Sequence, residues 1–164
     1  MERGQCRLAE AERRLRRRRL QAILLILTVG FIWAHSLVPA SVSDQESRQI
    51  ATAVSPILES AGVENVSARK LNHPLRKLAH FAEFAALGFQ LCLLCERKGR
   101  RSALRAMECG CLAAFIDETL QLFTPGRSGE LRDVWLDASG VLAGILTALL
   151  LLFLLRRGSK TETE

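Results

Sequence analysis

"VWLDASGVLAGILTALLLLFLL", residues 134–155, carries one ionisable side chain, Asp137, in an otherwise apolar run. A helix rises about 1.5 Å per residue, so about 20 apolar residues cross the ~30 Å hydrocarbon layer of a bilayer. The stretch therefore reads as a membrane span, and it sets the terms for the rest of the chain. Three segments upstream have a similar length: residues 20–38, about 78–95 and about 106–123. The first is longer than the 7–15-residue core of a cleaved signal, so it is expected to be a retained helix. The second and third are impure, because they hold His80, Glu83, Asp117 and Glu118.

The expected fold is an all-α integral membrane bundle of four transmembrane helices over residues 20–155. A basic tail at 1–19 and a short tail at 156–164 flank it. Of the 164 residues, 49% are hydrophobic and 24% charged, which fits only if the two kinds are segregated along the chain.

The net charge of +6 points either to nucleic acid or to anionic lipid, and its placement decides. The run "RRLRRRR" (13–19) abuts the first apolar segment, as a membrane-orienting flank does. Tyr is absent and aromatics make up 5% of the chain, too few for a base-stacking surface. Membrane lipids are thus the expected partners, and nucleic acid is not. In the four-span reading, sixteen Lys and Arg fall on one side of the bilayer and seven on the other. The richer side is expected to be cytoplasmic, with both termini there, in a multi-pass protein of the cell membrane.

The first outer loop has its own pattern. Ser43 and Glu46 stand at capping-box spacing, Ile50, Val54, Ile57 and Leu58 recur at helical intervals, and Gly62 offers a stop. A short amphipathic helix on the outer membrane surface is expected here. A helix packed on the other spans fits the same pattern, and Pro56 could kink either.

The topology gathers the ionisable residues. His80 and Glu83 fall in the first turns of the second span, Asp117, Glu118 and Gln121 in the last turns of the third, and Asp133 and Asp137 at the start of the fourth. Glu83, Asp117 and Asp137 should lie roughly 5–10 Å below the outer hydrocarbon boundary. Their i, i+3 and i, i+4 spacings put each set on one helix face. A charged side chain within a span costs about 2.5–3.5 kcal/mol on insertion scales, so these faces should turn inward. Arg76, Lys77, His80, Arg127 and Arg132 are then the available partners. In "TPGRSGELRD" (124–133), Pro125-Gly126 forces a turn, and the loop is expected to fold back and lay Arg127 on the carboxylates. His35, a lone polar residue, reads as packing between helices.

"HPLRKLAHFAEFAALGF" and "DETLQLFTPGRSGELRDVWLDASGVLAG" together resemble the VanZ-like family, over about residues 33–144. The match falls on Lys77, His80, Glu83, Phe84, Asp117, Glu118, Gln121, Pro125, Arg127, Asp133 and Gly140. Asp137 stands where that pattern usually has Asn, which implies an additional negative charge or a proton. The resemblance implies a four-helix membrane fold, a bacterial cell-envelope setting and a connection with teicoplanin resistance. It implies no settled chemistry.

Smaller signals carry less. Cys92, Cys95, Cys109 and Cys111 suit small apolar filler better than a zinc site. Gly140 and Gly144 form a GxxxG that allows close helix approach, within the chain or between chains. No hydrolytic nucleophile with a base at fixed spacing is evident, nor a phosphate-binding glycine loop.

Two functional readings follow, neither naming a cofactor or an oligomeric state. In the first, an outer-leaflet pocket of Lys77, His80, Glu83, Asp117, Glu118, Gln121, Arg127, Asp133 and Asp137 binds an anionic amphiphile. That ligand is a lipid-linked cell-wall precursor or a lipoglycopeptide, and no metal is assigned. In the second, the same carboxylates and imidazole act on a lipid head group, through a divalent metal or as an acid/base pair. A helical adaptor, with the cluster purely structural, is the remaining option.

Overall fold

The computed structural model describes residues 2–62, 68–95 and 100–161. They form five helices: α1 (Glu2–Ser36), α2 (Ala40–Ser60), α3 (Ala68–Leu94), α4 (Arg100–Gln121) and α5 (Leu131–Thr161). There is no strand among the described residues, as expected of an all-α chain. Residues 96–99 of the loop expected between spans two and three, and 162–164 of the C-terminal tail, lie outside the described residues.

Three helices are long and apolar enough to cross a membrane: α1 over Arg7–Ser36, α3 over Arg69–Leu94 and α5 over Leu131–Leu155. α4, expected on length to be a span, is not among them. Its sequence carries Arg105 and Glu108 near one end and Asp117 and Glu118 near the other, which lowers its mean hydropathy. No break separates the arginine run from the apolar part of α1. The single helix of 35 residues extends about 52 Å, well beyond a bilayer's hydrocarbon layer.

α2 begins earlier than its capping-box pattern suggests. Pro39 occupies the N-cap with no side-chain hydrogen bond, and Ser43, the expected cap, is buried within the helix. The Ala40 amide instead donates to the Pro125 carbonyl at 3.1 Å, which ties the start of α2 to the loop before α5. Pro56 lies inside α2 without ending it, and the chain leaves the helix through Gly62 at φ +86. α2 packs on α3, with Ala51 buried, while Ile50 and Ile57 stay exposed.

α3 is the centre of the assembly and packs against all four other helices. Its contact with α5 is close because of glycine. A methyl group at Gly144 would run into the Ala85 carbonyl oxygen, and one at Gly88 into the Val141 carbonyl. The GxxxG of α5 is thus spent on α3 of the same chain. Ile32, Phe84, Leu87, Ala114, Val141 and Ile145 fill the core between α1, α3, α4 and α5. The outer faces are apolar as well: Ile26, Phe31, Leu112, Phe115, Leu150 and Leu155 are each more than half exposed. Such a surface is costly in water and suited to lipid.

Candidate functional site

The polar residues of four helices meet at one end of the bundle. The end of α1 brings His35 and Ser36, α3 brings Arg76, Lys77, His80 and, near its middle, Glu83, and the end of α4 brings Asp117, Glu118 and Gln121. The start of α5 adds Asp133 and Asp137. Spacings of three or four residues turn His80 and Glu83, Asp117 and Gln121, and Asp133 and Asp137 each to one side of their helix.

The deepest layer is built around Asp117, which is fully buried. Its Oδ2 accepts hydrogen bonds from the Ser36 hydroxyl at 2.8 Å and the Gln121 amide at 3.1 Å. His80 Nδ1 lies 4.0 Å from the same oxygen. The His80 ring stacks on His35, whose Nδ1 pairs with Glu83 Oε1 at 3.0 Å. Asp137 faces this layer from α5. It is 1% exposed, and neither of its oxygens has a hydrogen-bond partner among the described residues.

The outer layer is cationic. Lys77 Nζ meets Asp133 Oδ1 at 2.6 Å, and Arg76 meets Asp44 of α2 at 3.0 Å. All four of these side chains are partly exposed. Arg127 departs from expectation. Rather than lying on the carboxylates, it donates from Nε to the Val38 carbonyl at 3.0 Å and from Nη2 to the His35 carbonyl at 3.2 Å. Carbonyls at a helix C-terminus lack intrahelical partners and bear partial negative charge, so they compete well for a guanidinium. Burial, and then the nearby Arg76, lower the Arg127 pKa from its ordinary value. An arginine so placed still stays charged at neutral pH.

The loop between α4 and α5 holds the layers in register. Gly126 takes φ +76, the turn expected of Pro125-Gly126. The Thr124 hydroxyl donates to the Ser36 carbonyl at 3.1 Å. Glu118 Oε1 accepts the Glu130 amide just before α5, so this carboxylate points at the loop and not at Asp117.

A cleft opens over this arrangement, walled by Arg76, Lys77, Gln121, Arg127 and Asp133, with His80 and Asp137 reaching it from below. Of the nine residues expected at the site, the cleft gathers Lys77, His80, Gln121, Arg127, Asp133 and Asp137. Asp117 sits behind them, Glu118 serves the loop, and Glu83 also borders a separate apolar groove between α1 and α3. Arg132, offered as a partner, does not line the cleft. His35, Ser36 and Thr124 are members that sequence reasoning missed. The signal was present for the first two, since His35 and Ser36 end the first span at the same depth. The four cysteines are free and supply no member of the clustered His/Cys/Asp/Glu ligand sets among the described residues.

The family model described as VanZ/LLP1 matches residues 21–154, well over half of the chain. The chain belongs to the VanZ/LLP1 family. Comparison with curated proteins and with solved structures gives no match. The VanZ/LLP1 match starts just past the arginine run and ends within α5. It covers every residue of the cleft and leaves the basic start of α1 outside. Together with the three apolar helices, family membership makes this a membrane protein.

Proposed function

We propose that this VanZ/LLP1 protein is a four-span protein of the bacterial cell membrane whose outer cleft binds the anionic head group of an envelope amphiphile. The observation that carries the reading is the cleft's composition. Arg76, Lys77 and Arg127 stand together at a mouth whose floor is polar and buried. Among the described residues, Arg76 and Lys77 pair with partly exposed carboxylates, Asp44 and Asp133, which an incoming phosphate or carboxylate could replace. Exposed pairs of this kind contribute about 0–1 kcal/mol, so exchanging one acid for another costs little.

α4 is the fourth span in this reading. Its exposed Leu112 and Phe115 favour lipid contact, and its charges lie near its two ends or face inward. α2 lies along the outer surface, with Ile50 and Ile57 turned to lipid. The excess of Lys and Arg beside the opposite ends of the spans favours cytoplasmic termini.

The cleft, at about 90 Å³, is of a size for a head group rather than for a whole lipoglycopeptide. A lipid-linked cell-wall precursor is therefore the favoured ligand class, and drug protection would act through that lipid. The test is native mass spectrometry of the purified chain with a polyprenyl phosphate and with the matching neutral polyprenol. Retention of the phosphate alone supports the proposal. Equal retention of both, or of neither, removes it.

A further inference from the structure

We infer that His80, Asp117 and Asp137 form a buried binding site for one divalent transition-metal ion. One ligand atom from each residue lies within 4.8 Å of the other two. All three residues are buried, at 8%, 0% and 1% exposure.

Donor capacity at this point is left over. Both Asp137 oxygens, Asp117 Oδ1 and His80 Nδ1 have no hydrogen-bond partner among the described residues. Buried polar atoms are nearly always satisfied, and buried charges are paired or bind metals. The neighbouring cations answer to other groups: Lys77 to Asp133, Arg76 to Asp44, and Arg127 to two carbonyls. Two carboxylates and an imidazole thus converge without a positive charge among them.

The surroundings resemble the support that metal ligands receive. The Ser36 hydroxyl and the Gln121 amide both donate to Asp117 Oδ2, which fixes that carboxylate and leaves Oδ1 for an ion. His35 stacks at 5.8 Å on His80 and sets its ring plane. His80 and Asp137 also border the cleft, which gives an ion a path inward. One nitrogen and two carboxylates form a set for Zn²⁺ or Mn²⁺, whereas Ca²⁺ and Mg²⁺ favour all-oxygen shells. Three protein ligands leave coordination positions for solvent or an oxygen ligand from the cleft. The site stands whether or not the cleft takes an anionic lipid.

Mn²⁺ is the better probe, because the free thiols elsewhere in the chain favour zinc. The full chain, purified in detergent and stripped with chelator, is titrated with Mn²⁺ and followed by electron paramagnetic resonance. Wild type should take up one ion per chain, with nitrogen modulation from an imidazole. Asp137→Asn should weaken binding by at least about tenfold. It should also abolish the rise in Tm that Mn²⁺ gives wild type. Should Asp137→Asn not fold, His80→Gln reports instead, through loss of the nitrogen signal. No uptake by wild type at millimolar Mn²⁺ would overturn the inference, as would unchanged affinity in a folded Asp137→Asn. A wild-type Mn²⁺ signal without nitrogen modulation overturns it too.

Discussion

His35 and His80 lie ring on ring, 5.8 Å between centroids and 11° from parallel. The stack joins the end of α1 to α3 and divides labour: His35 holds Glu83, and His80 faces Asp117. His35→Phe keeps a ring for the stack but leaves the part-buried Glu83 without its partner. An unsatisfied buried acceptor costs about 1–3 kcal/mol, so this variant should lose stability. Adding Glu83→Gln should return part of the loss. Thermal unfolding in detergent, read as a double-mutant cycle, checks it.

Gly144 and Gly30 should respond oppositely to alanine. A methyl at Gly144 meets the Ala85 backbone, which cannot yield without separating α5 from α3. Overpacking of this kind costs about 1–3 kcal/mol, and sometimes more. Gly30 has nothing within 4 Å of an added methyl. Alanine there gains up to about 1 kcal/mol of helix propensity. The two Tm shifts should have opposite signs.

Arg127→Lys should not substitute for arginine. The two carbonyls it meets, of Val38 and His35, call for a planar fork, which a single ammonium cannot reproduce. Arg127→Lys and Arg127→Ala should therefore both raise amide hydrogen exchange around residues 35–40. A lysine variant with wild-type protection would show that charge alone suffices.

Lys77 and Asp133 should have opposite effects on ligand. Lys77→Gln removes a cation from the mouth and should weaken polyprenyl phosphate binding by about tenfold, equal to about 1.4 kcal/mol. Asp133→Asn removes the acid that competes for Lys77 and should strengthen it. Titrations at low and high salt should show the Lys77→Gln deficit shrinking as salt rises. In a teicoplanin-sensitive Gram-positive host, Lys77→Gln should likewise lose any protection that wild type gives at equal membrane levels.

Glu118→Gln should be mild and Glu118→Ala harmful. Glutamine retains a carbonyl that can accept the Glu130 amide, whereas alanine leaves that amide unpaired at about 1–3 kcal/mol. Similar losses in both variants would mean that the charge of Glu118 matters beyond the loop.

The convergence of charge at one bundle end was legible because it needs only helix length and spacing. Those two quantities place Lys77, His80, Asp117, Gln121, Asp133 and Asp137 together. Direction within the cluster was harder to read. Asp117 and Glu118 are successive residues on one helix and point about 100° apart, so both cannot face the same centre. Which carbonyls Arg127 reaches depends on the path of the loop, and no periodicity encodes that. The start of α2 was misread because Pro39 and a long-range bond to Pro125 replace the local cap that Ser43 and Glu46 suggest. In α4 length and apolarity part company, since a segment of sufficient length carries charge at both ends.

Ser36 gives its hydroxyl to Asp117 and its carbonyl to Thr124, partners 81 and 88 residues further along the chain. Arg127 reaches back to His35 across 92. At ribosomal speeds of about 5–20 residues per second, the polar end of α1 waits roughly 5–20 s for its partners to be made. The site is therefore assembled late, and a truncation before Asp117 leaves both the hydroxyl and the carbonyl of Ser36 without these partners.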